Sequence, residues 1–306
     1  MAKPVLVALT VAPLAAVGCD SSEDLPTKPP TSIAQVAKGG FSSPTDAVAS
    51  PDGSKFFFAA RDEMLEPAIF VTASDAGSTP EVLAASTPLD MPIGLVMSCD
   101  GSTLYIADMG SELGAVLSLS TTAGSAVSDL GVTGVFRPGG LAMAKDCKTL
   151  YMTGRTEAGE PALFSMSVDG GAATVVYKGE PLVSPTGLHI DNDGVSWVMD
   201  HRAHGAAGEG VLFAIPADGS AANEVVSNLR MGTPGGVSLT AGGGTAVMPT
   251  RDADGNGQLT SVDIKSGEMT QLAAPSMIDP AGLRTARKAG VFAVVDSEGG
   301  AIYRAE

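Results

Sequence analysis

Apolar residues along this chain come in short runs, each cut off by glycine, proline or an acidic turn. The stretch "GLVMSCDGSTLYIAD", residues 94–108, shows the pattern in one copy. "GLVMS" is mostly apolar, as expected of a strand with packed neighbours on both faces. "CDG" predicts a tight turn in which glycine supplies a positive φ. "TLYIAD", rich in β-branched and aromatic residues, predicts a second strand. After a variable loop, "AVLSL" predicts a third strand, with counterparts "ALFSM", "VLFAI" and "AIYRA" elsewhere. A second turn, such as "VDGG" at 168–171, leads to a fourth, "TVVYKG".

The same unit occurs six times, opening at Pro44, Pro92, Pro138, Pro185, Pro234 and Pro280, with 46 to 49 residues between successive prolines. That period suits four short strands and three turns, the blade of a β-propeller. The fold class is therefore all-β: a six-bladed β-propeller with four-stranded blades. The sixth unit ends at "GGAIYRAE" and has no fourth strand. "TSIAQVAKGGFSSP", ahead of the first unit, matches the missing piece. The strand near Ile33–Lys38 is expected to pair with the last blade and close the ring, removing an open edge.

The N-terminus reads differently. Lys3 precedes an apolar run to Gly18, too short to span a bilayer, and small residues lead into Cys19. This is an export signal. "AVGC" resembles the lipobox of bacterial lipoproteins, with Ala16 where that pattern has Leu. The resemblance implies lipidation at Cys19; the alternative is a plainly cleaved secretory signal. "DSSEDLPTKPPT" is polar and proline-rich, as a tether would be. The expected division is a signal peptide over 1–18, a lipidated cysteine and flexible tether over 19–31, and the propeller over 32–306. The address is the bacterial cell envelope, periplasmic or surface-exposed. Cys99 and Cys147 then form an even pair in an oxidising compartment, beside the turns of adjacent blades. They are either a disulfide or two small buried thiols.

The chain of 306 residues carries a formal charge of −16. No basic cluster exists to neutralise phosphates, which argues against a nucleic-acid partner. With Pro-x-Gly-Leu, Asp-Gly and Leu-Tyr-x-x-Asp in place, the repeat resembles the six-bladed superfamily containing the sugar lactonases, NHL repeats and YWTD domains. The resemblance implies the fold, but it spans hydrolases and pure binding modules alike. In the lactonases, carboxylate and amide side chains near the Pro-x-Gly position hold a catalytic metal. Here only Asp46 stands there with a carboxylate.

The candidate chemistry lies at the ends of the second strands, on the face expected to form a binding funnel. Even-numbered blades carry Asp108, Asp200 and Asp296; odd-numbered blades carry Arg61, Arg155 and Arg251 one step later. One reading is a polar cup in which arginines clamp an anion. The other is mutual satisfaction of charges and strand ends. "WVMDHRAHG" adds His201 and His204, with Asp200 and Glu209 as neighbouring carboxylates for a general base. His189 falls in a first strand, as a core or channel residue. "DADGNGQLTSVD", 252–263, places Asp252, Asp254, Asn256, Gln258 and Asp263 at positions one, three, five, seven and twelve of a twelve-residue calcium loop, with Gly257 at six. Its alternative is a solvated turn.

These features favour a membrane-tethered, non-catalytic propeller, monomeric, binding a small molecule or a protein in its funnel. A structural Ca2+ is the one cofactor in view. The alternative function is a metal-dependent lactonase or esterase using Asp46, Asp108, Asp200 and His201.

Overall fold

The computed structural model describes residues 25–110, 113–204 and 209–306. The signal peptide and Cys19 lie outside the described residues. The chain forms an all-β, six-bladed propeller of antiparallel four-stranded blades.

Blade one comprises β2 (Ser42–Ala49), β3 (Lys55–Arg61), β4 (Pro67–Ala73) and β5 (Glu81–Ala85). Blade two follows as β6 (Pro92–Met97), β7 (Thr103–Asp108), β8 (Ala115–Ser120) and β9 (Ser128–Asp129). Blade three holds β10 (Leu141–Met143), β11 (Thr149–Arg155), β12 (Pro161–Ser167) and β13 (Thr174–Lys178). Blade four holds β14 (Pro185–Ile190), β15 (Ser196–Asp200), β16 (Glu209–Ile215) and β17 (Asn223–Arg230). Blade five holds β18 (Ser238–Leu239), β19 (Thr245–Arg251), β20 (Gly257–Asp263) and β21 (Met269–Ala273). Blade six is β22 (Pro280–Thr285), β23 (Phe292–Asp296), β24 (Ala301–Ala305) and, from the other end of the chain, β1 (Ile33–Lys38).

β1 pairs with β24 from Ile33 opposite Ala305 to Lys38 opposite Ala301, so the ring closes through the expected N-terminal strand. Val36 and Ala37 of that strand sit in one apolar cluster with Phe56, Phe58 and Phe70 of blade one. Phe58 and Phe70 stack there at 5.1 Å between ring centres.

The period-2 alternation of a strand explains why the inner strands are apolar throughout. In β3, Phe56 and Phe58 face blade six while Phe57 and Ala59 face blade two. In β7, Leu104 and Ile106 pack toward blade one, and Tyr105 and Ala107 toward blade three. Each of the six interfaces between blades has its own buried cluster. The core is a set of radial seams around an axis, and that axis is left to other chemistry. Trp197 belongs to the seam between blades four and five, its indole N–H bonded to Asp191 Oδ2 at 2.9 Å.

The turns after the first strands share a design. Asp100 Oδ1 accepts Ser98 Oγ–H at 2.6 Å and Ser102 N–H at 3.0 Å, and Gly101 takes φ +78°. On this face Cys99 and Cys147 form a disulfide between blades two and three, with Cα atoms 5.8 Å apart.

Candidate functional site

The three aspartates at the even-numbered blades' second strands are buried and hold the chain that enters their own blade. Asp108 accepts the N–H groups of Asp90, Met91 and Gly110, each at 2.9 Å. Asp200 accepts those of Val183 (2.7 Å), Ser184 (2.9 Å) and Arg202 (2.9 Å). Asp296 accepts Ile278 (3.0 Å), Asp279 (2.8 Å) and Gly299 (2.9 Å). Each is a backbone clamp.

The arginines of the odd-numbered blades do complementary work. Arg61 donates to Leu65 O at 2.7 Å, and Arg155 to Gly159 O at 2.7 Å, bracing their own loops. Arg155 also reaches Val183 O at 3.2 Å, and Arg251 reaches Ile278 O at 3.1 Å. Among these six residues only Arg251 meets a carboxylate, that of Asp279. The alternating charges therefore form neither a salt-bridge ring nor an open cup, because main-chain groups absorb them. Their two kinds of residue mark two kinds of loop.

The histidines of "DHRAHG" also part company. His201 is buried, which pushes its pKa down, and its Nδ1 finds no partner among the described residues. His204 is exposed and sits 3.2 Å from Glu224 Oε2, on β17, rather than against Glu209. Asp46 lies on the axis, where its Oδ1 accepts Ala47 N–H at 3.0 Å and its Oδ2 accepts Leu95 N–H at 2.9 Å. Arg284 donates to the same Oδ2 through Nε and Nη2, each at 3.3 Å. Burial pushes the Asp46 pKa up and the Arg284 charge opposes that rise. The set Asp46, Asp108, Asp200 and His201 is thus not assembled into a hydrolytic centre: Asp46 is ion-paired, and Asp108 and Asp200 serve blades two and four with blade three between them.

The calcium loop comes apart for a simple geometric reason. Residues 257–263 are the strand β20, which carries Asp263 roughly 20 Å from the turn at about 3.4 Å per residue. Calcium ligands must converge to about 2.3–2.6 Å from one ion. Gln258 is buried in the strand, donating toward Thr260 Oγ1 at 3.4 Å. Asp252 takes up its own turn, with Oδ1 accepting Asp254 N–H (2.9 Å) and Asn256 N–H (2.8 Å). Asp62 does the same for Met64 and Glu66 in blade one. The donor set does not fit a twelve-residue calcium site.

A cavity of about 200 Å³ lies on the axis instead, at the end carrying the Asp-Gly turns and the disulfide. This is the face opposite the expected funnel. Every blade contributes to its lining the fourth residue after the blade's proline: Val48, Val96, Ala142, His189, Ser238 and Arg284. Blades one to three thus present an apolar or small wall and blades four to six a polar one. Three residues further on, Lys145 and Arg287 line the rim from blades three and six.

The polar half is wired together. His189 Nδ1 and Ser238 Oγ are 3.2 Å apart, and Ser238 Oγ accepts Thr285 N–H at 3.1 Å. Burial, with help from Arg284 and Arg287, drives the His189 pKa down to about 3, so the ring is neutral. Arg284 bonds to Leu188 O as well as to Asp46. Arg287 reaches across the ring to Met143 O at 3.1 Å and meets no carboxylate among the described residues. Desolvation lowers its pKa. Asp191, also at the cavity, accepts Asp193 N–H, Val195 N–H and the Trp197 indole N–H and pairs with no arginine among the described residues.

Residues 25–30, expected to be tether, lie against this face. Pro26 O accepts Gly242 N–H at 2.8 Å, Thr27 O accepts Thr245 Oγ1–H at 2.7 Å, and Leu25 joins the cavity wall. A Cβ on Gly242 would fall 2.5 Å from Thr27 Cγ2, so the glycine run 242–244 makes room for the segment. Arg284 and Arg287 escape a search for charged loop clusters. The signal that finds them is the aligned repeat, where "GLRTARK" puts cations at positions held by Val96 and Cys99 in blade two.

No protein-family model and no curated protein matches the sequence. Solved structures do match. A chain in the Nidogen/Laminin complex superposes with TM-score 0.59 at 17% identity, over 75% of this chain and 82% of that one. The PQQ domain of pyranose dehydrogenase from Coprinopsis cinerea gives 0.61 at 10%, over 90% and 95%. A glucose dehydrogenase gives 0.62 at 13%, over 90% and 99%. At such identities the likeness shows the fold alone.

Proposed function

We propose that this chain is a non-catalytic binding propeller of the bacterial cell envelope, tethered through Cys19, that holds a small molecule in its axial cavity. The observation that carries the reading is the cavity itself, with an apolar wall facing a polar one and a guanidinium that meets no carboxylate among the described residues. Concave sites that combine apolar lining with a few convergent polar groups are the usual form of ligand pockets. A non-catalytic role is supported by the commitments of the acid–base groups. Asp108, Asp200 and Asp296 hold backbone, Asp46 holds Arg284, and neutral His189 bonds to a serine. The envelope address is supported by the signal-like N-terminus and by the Cys99–Cys147 disulfide, a bond that persists in oxidising compartments.

A thermal-shift screen of small metabolites against the purified protein tests the reading. Val96 is only partly buried and lines the cavity beside the seam between blades two and three, so Val96→Phe adds bulk at the site, and its own melting transition checks that the seam holds. The reading expects compounds that raise the wild-type melting temperature and leave that of Val96→Phe unmoved. Ligands that stabilise both proteins equally would place binding elsewhere.

A further inference from the structure

We propose that the ligand of the axial cavity is a small amphipathic carboxylate, its anionic group held by Arg287 and its apolar body lying against Val48, Val96 and Ala142. The inference rests on the cavity being the binding site. It adds the chemistry that the cavity selects.

Three observations converge on it. Arg287 projects from blade six across the axis to the carbonyl of Met143 on blade three, so its guanidinium lies at the cavity with one neutral acceptor. In a chain with 34 Asp and Glu against 18 Lys and Arg, a half-buried guanidinium with no carboxylate among the described residues is out of pattern. A buried or half-buried cation is ordinarily paired. The neighbouring Arg284 is so paired, by Asp46, and Asp191 is taken by three N–H donors, so neither supplies the missing anion.

The second observation is the sign of the lining. Arg284, Arg287 and Lys145 stand against Asp191 in the lining and against Asp46, which pairs with Arg284 from outside it, and this leaves the cavity net positive. Its histidine adds no charge, being held neutral by burial and the two arginines. A planar guanidinium offers the fork that matches a carboxylate. The third is the division of the wall: Val48, Val96 and Ala142 on one side, His189, Ser238 and Arg284 on the other. A volume near 200 Å³ suits a single ring or a short chain, since a dry apolar cavity of about 150 Å³ already accepts benzene. A free inorganic anion would leave the apolar wall unused.

Calorimetry at neutral pH with matched probes tests the inference. Benzoate, phenylacetate and hexanoate are titrated into the wild-type protein beside their neutral amides, and then into Arg287→Gln, Arg287→Lys and Val96→Phe. Far-ultraviolet circular dichroism and melting checks confirm that each variant is folded. The expected result is acid binding at least about ten-fold tighter than amide binding, lost in Arg287→Gln and partly regained in Arg287→Lys. Val96→Phe is expected to weaken acids and amides together. Equal binding of acid and amide, or acid binding untouched by Arg287→Gln, overturns the carboxylate anchor while leaving the cavity as the site. No binding of any acid or amide overturns both.

Discussion

Arg155 and Asp200 grip the same residue from its two sides. Arg155 Nη2 donates to the carbonyl of Val183 at 3.2 Å, and Asp200 Oδ2 accepts its N–H at 2.7 Å. Arg251 and Asp296 do the same to Ile278. An arginine of one blade and an aspartate of the next thus fix the chain crossing between them.

Removing such a clamp strands several partly buried N–H groups, each of which loses its acceptor. Asp200→Ala is expected to lower stability by at least about 3 kcal/mol, with Asp200→Asn milder because one acceptor oxygen remains. Urea denaturation of both variants measures this. A loss within experimental error of zero for Asp200→Ala would show that the clamp adds nothing.

The closing strand makes a larger claim. Deleting residues 32–38 exposes the edge of β24 and uncovers the phenylalanines packed on Val36. The shortened chain is expected to lose its cooperative melting transition and to associate through the open edge. A melting temperature equal to that of the intact chain would refute closure by β1.

The disulfide ties blades two and three across 48 residues of chain. In the chain-entropy model, constraining the unfolded state over that separation stabilises the fold by about 4 kcal/mol. Reduction, or Cys99→Ser with Cys147→Ser, is expected to lower the denaturation midpoint by a corresponding amount. Identical midpoints for oxidised and reduced protein would contradict a formed bond.

His189 sets a pH signature. Its folded pKa of about 3 lies below the ordinary 6.5, so the unfolded chain binds a proton that the folded chain refuses in between. Stability from this group is complete above pH 6.5 and is lost as pH falls toward 3, at up to about 1.4 kcal/mol per pH unit. Asp46, whose pKa burial raises above the ordinary carboxylate value, acts with the opposite sign. A His189→Gln variant isolates the histidine: its stability is expected to fall less between pH 6 and 4 than that of wild type. Parallel curves would mean the imidazole is not buried and neutral.

The blades were legible because a strand pair with packed neighbours on both faces must be apolar throughout, and the prolines repeat that demand six times. The latch was legible from the missing fourth strand after "AIYRAE". The site was not. Asp108 and Arg155 read as ligand-binding charges because a side chain that holds backbone has the same letter as one that holds a ligand. "DADGNGQLTSVD" fits the spacing of a calcium loop, yet "QLTSVD" also alternates as a strand, and the ladder to β19 decides between them. Arg287 stood in a register shared with Pro51, Lys145 and Asn192, visible only once those positions are known to surround an axis.

The most direct test of the account is a crystal of the protein soaked in 4-bromobenzoate, with the bromine located by anomalous scattering. One strong peak is expected inside the axial cavity, beside Val96 and Ala142, with the carboxylate on Arg287. A peak at the opposite face, near His201, or no peak within the ring would contradict it.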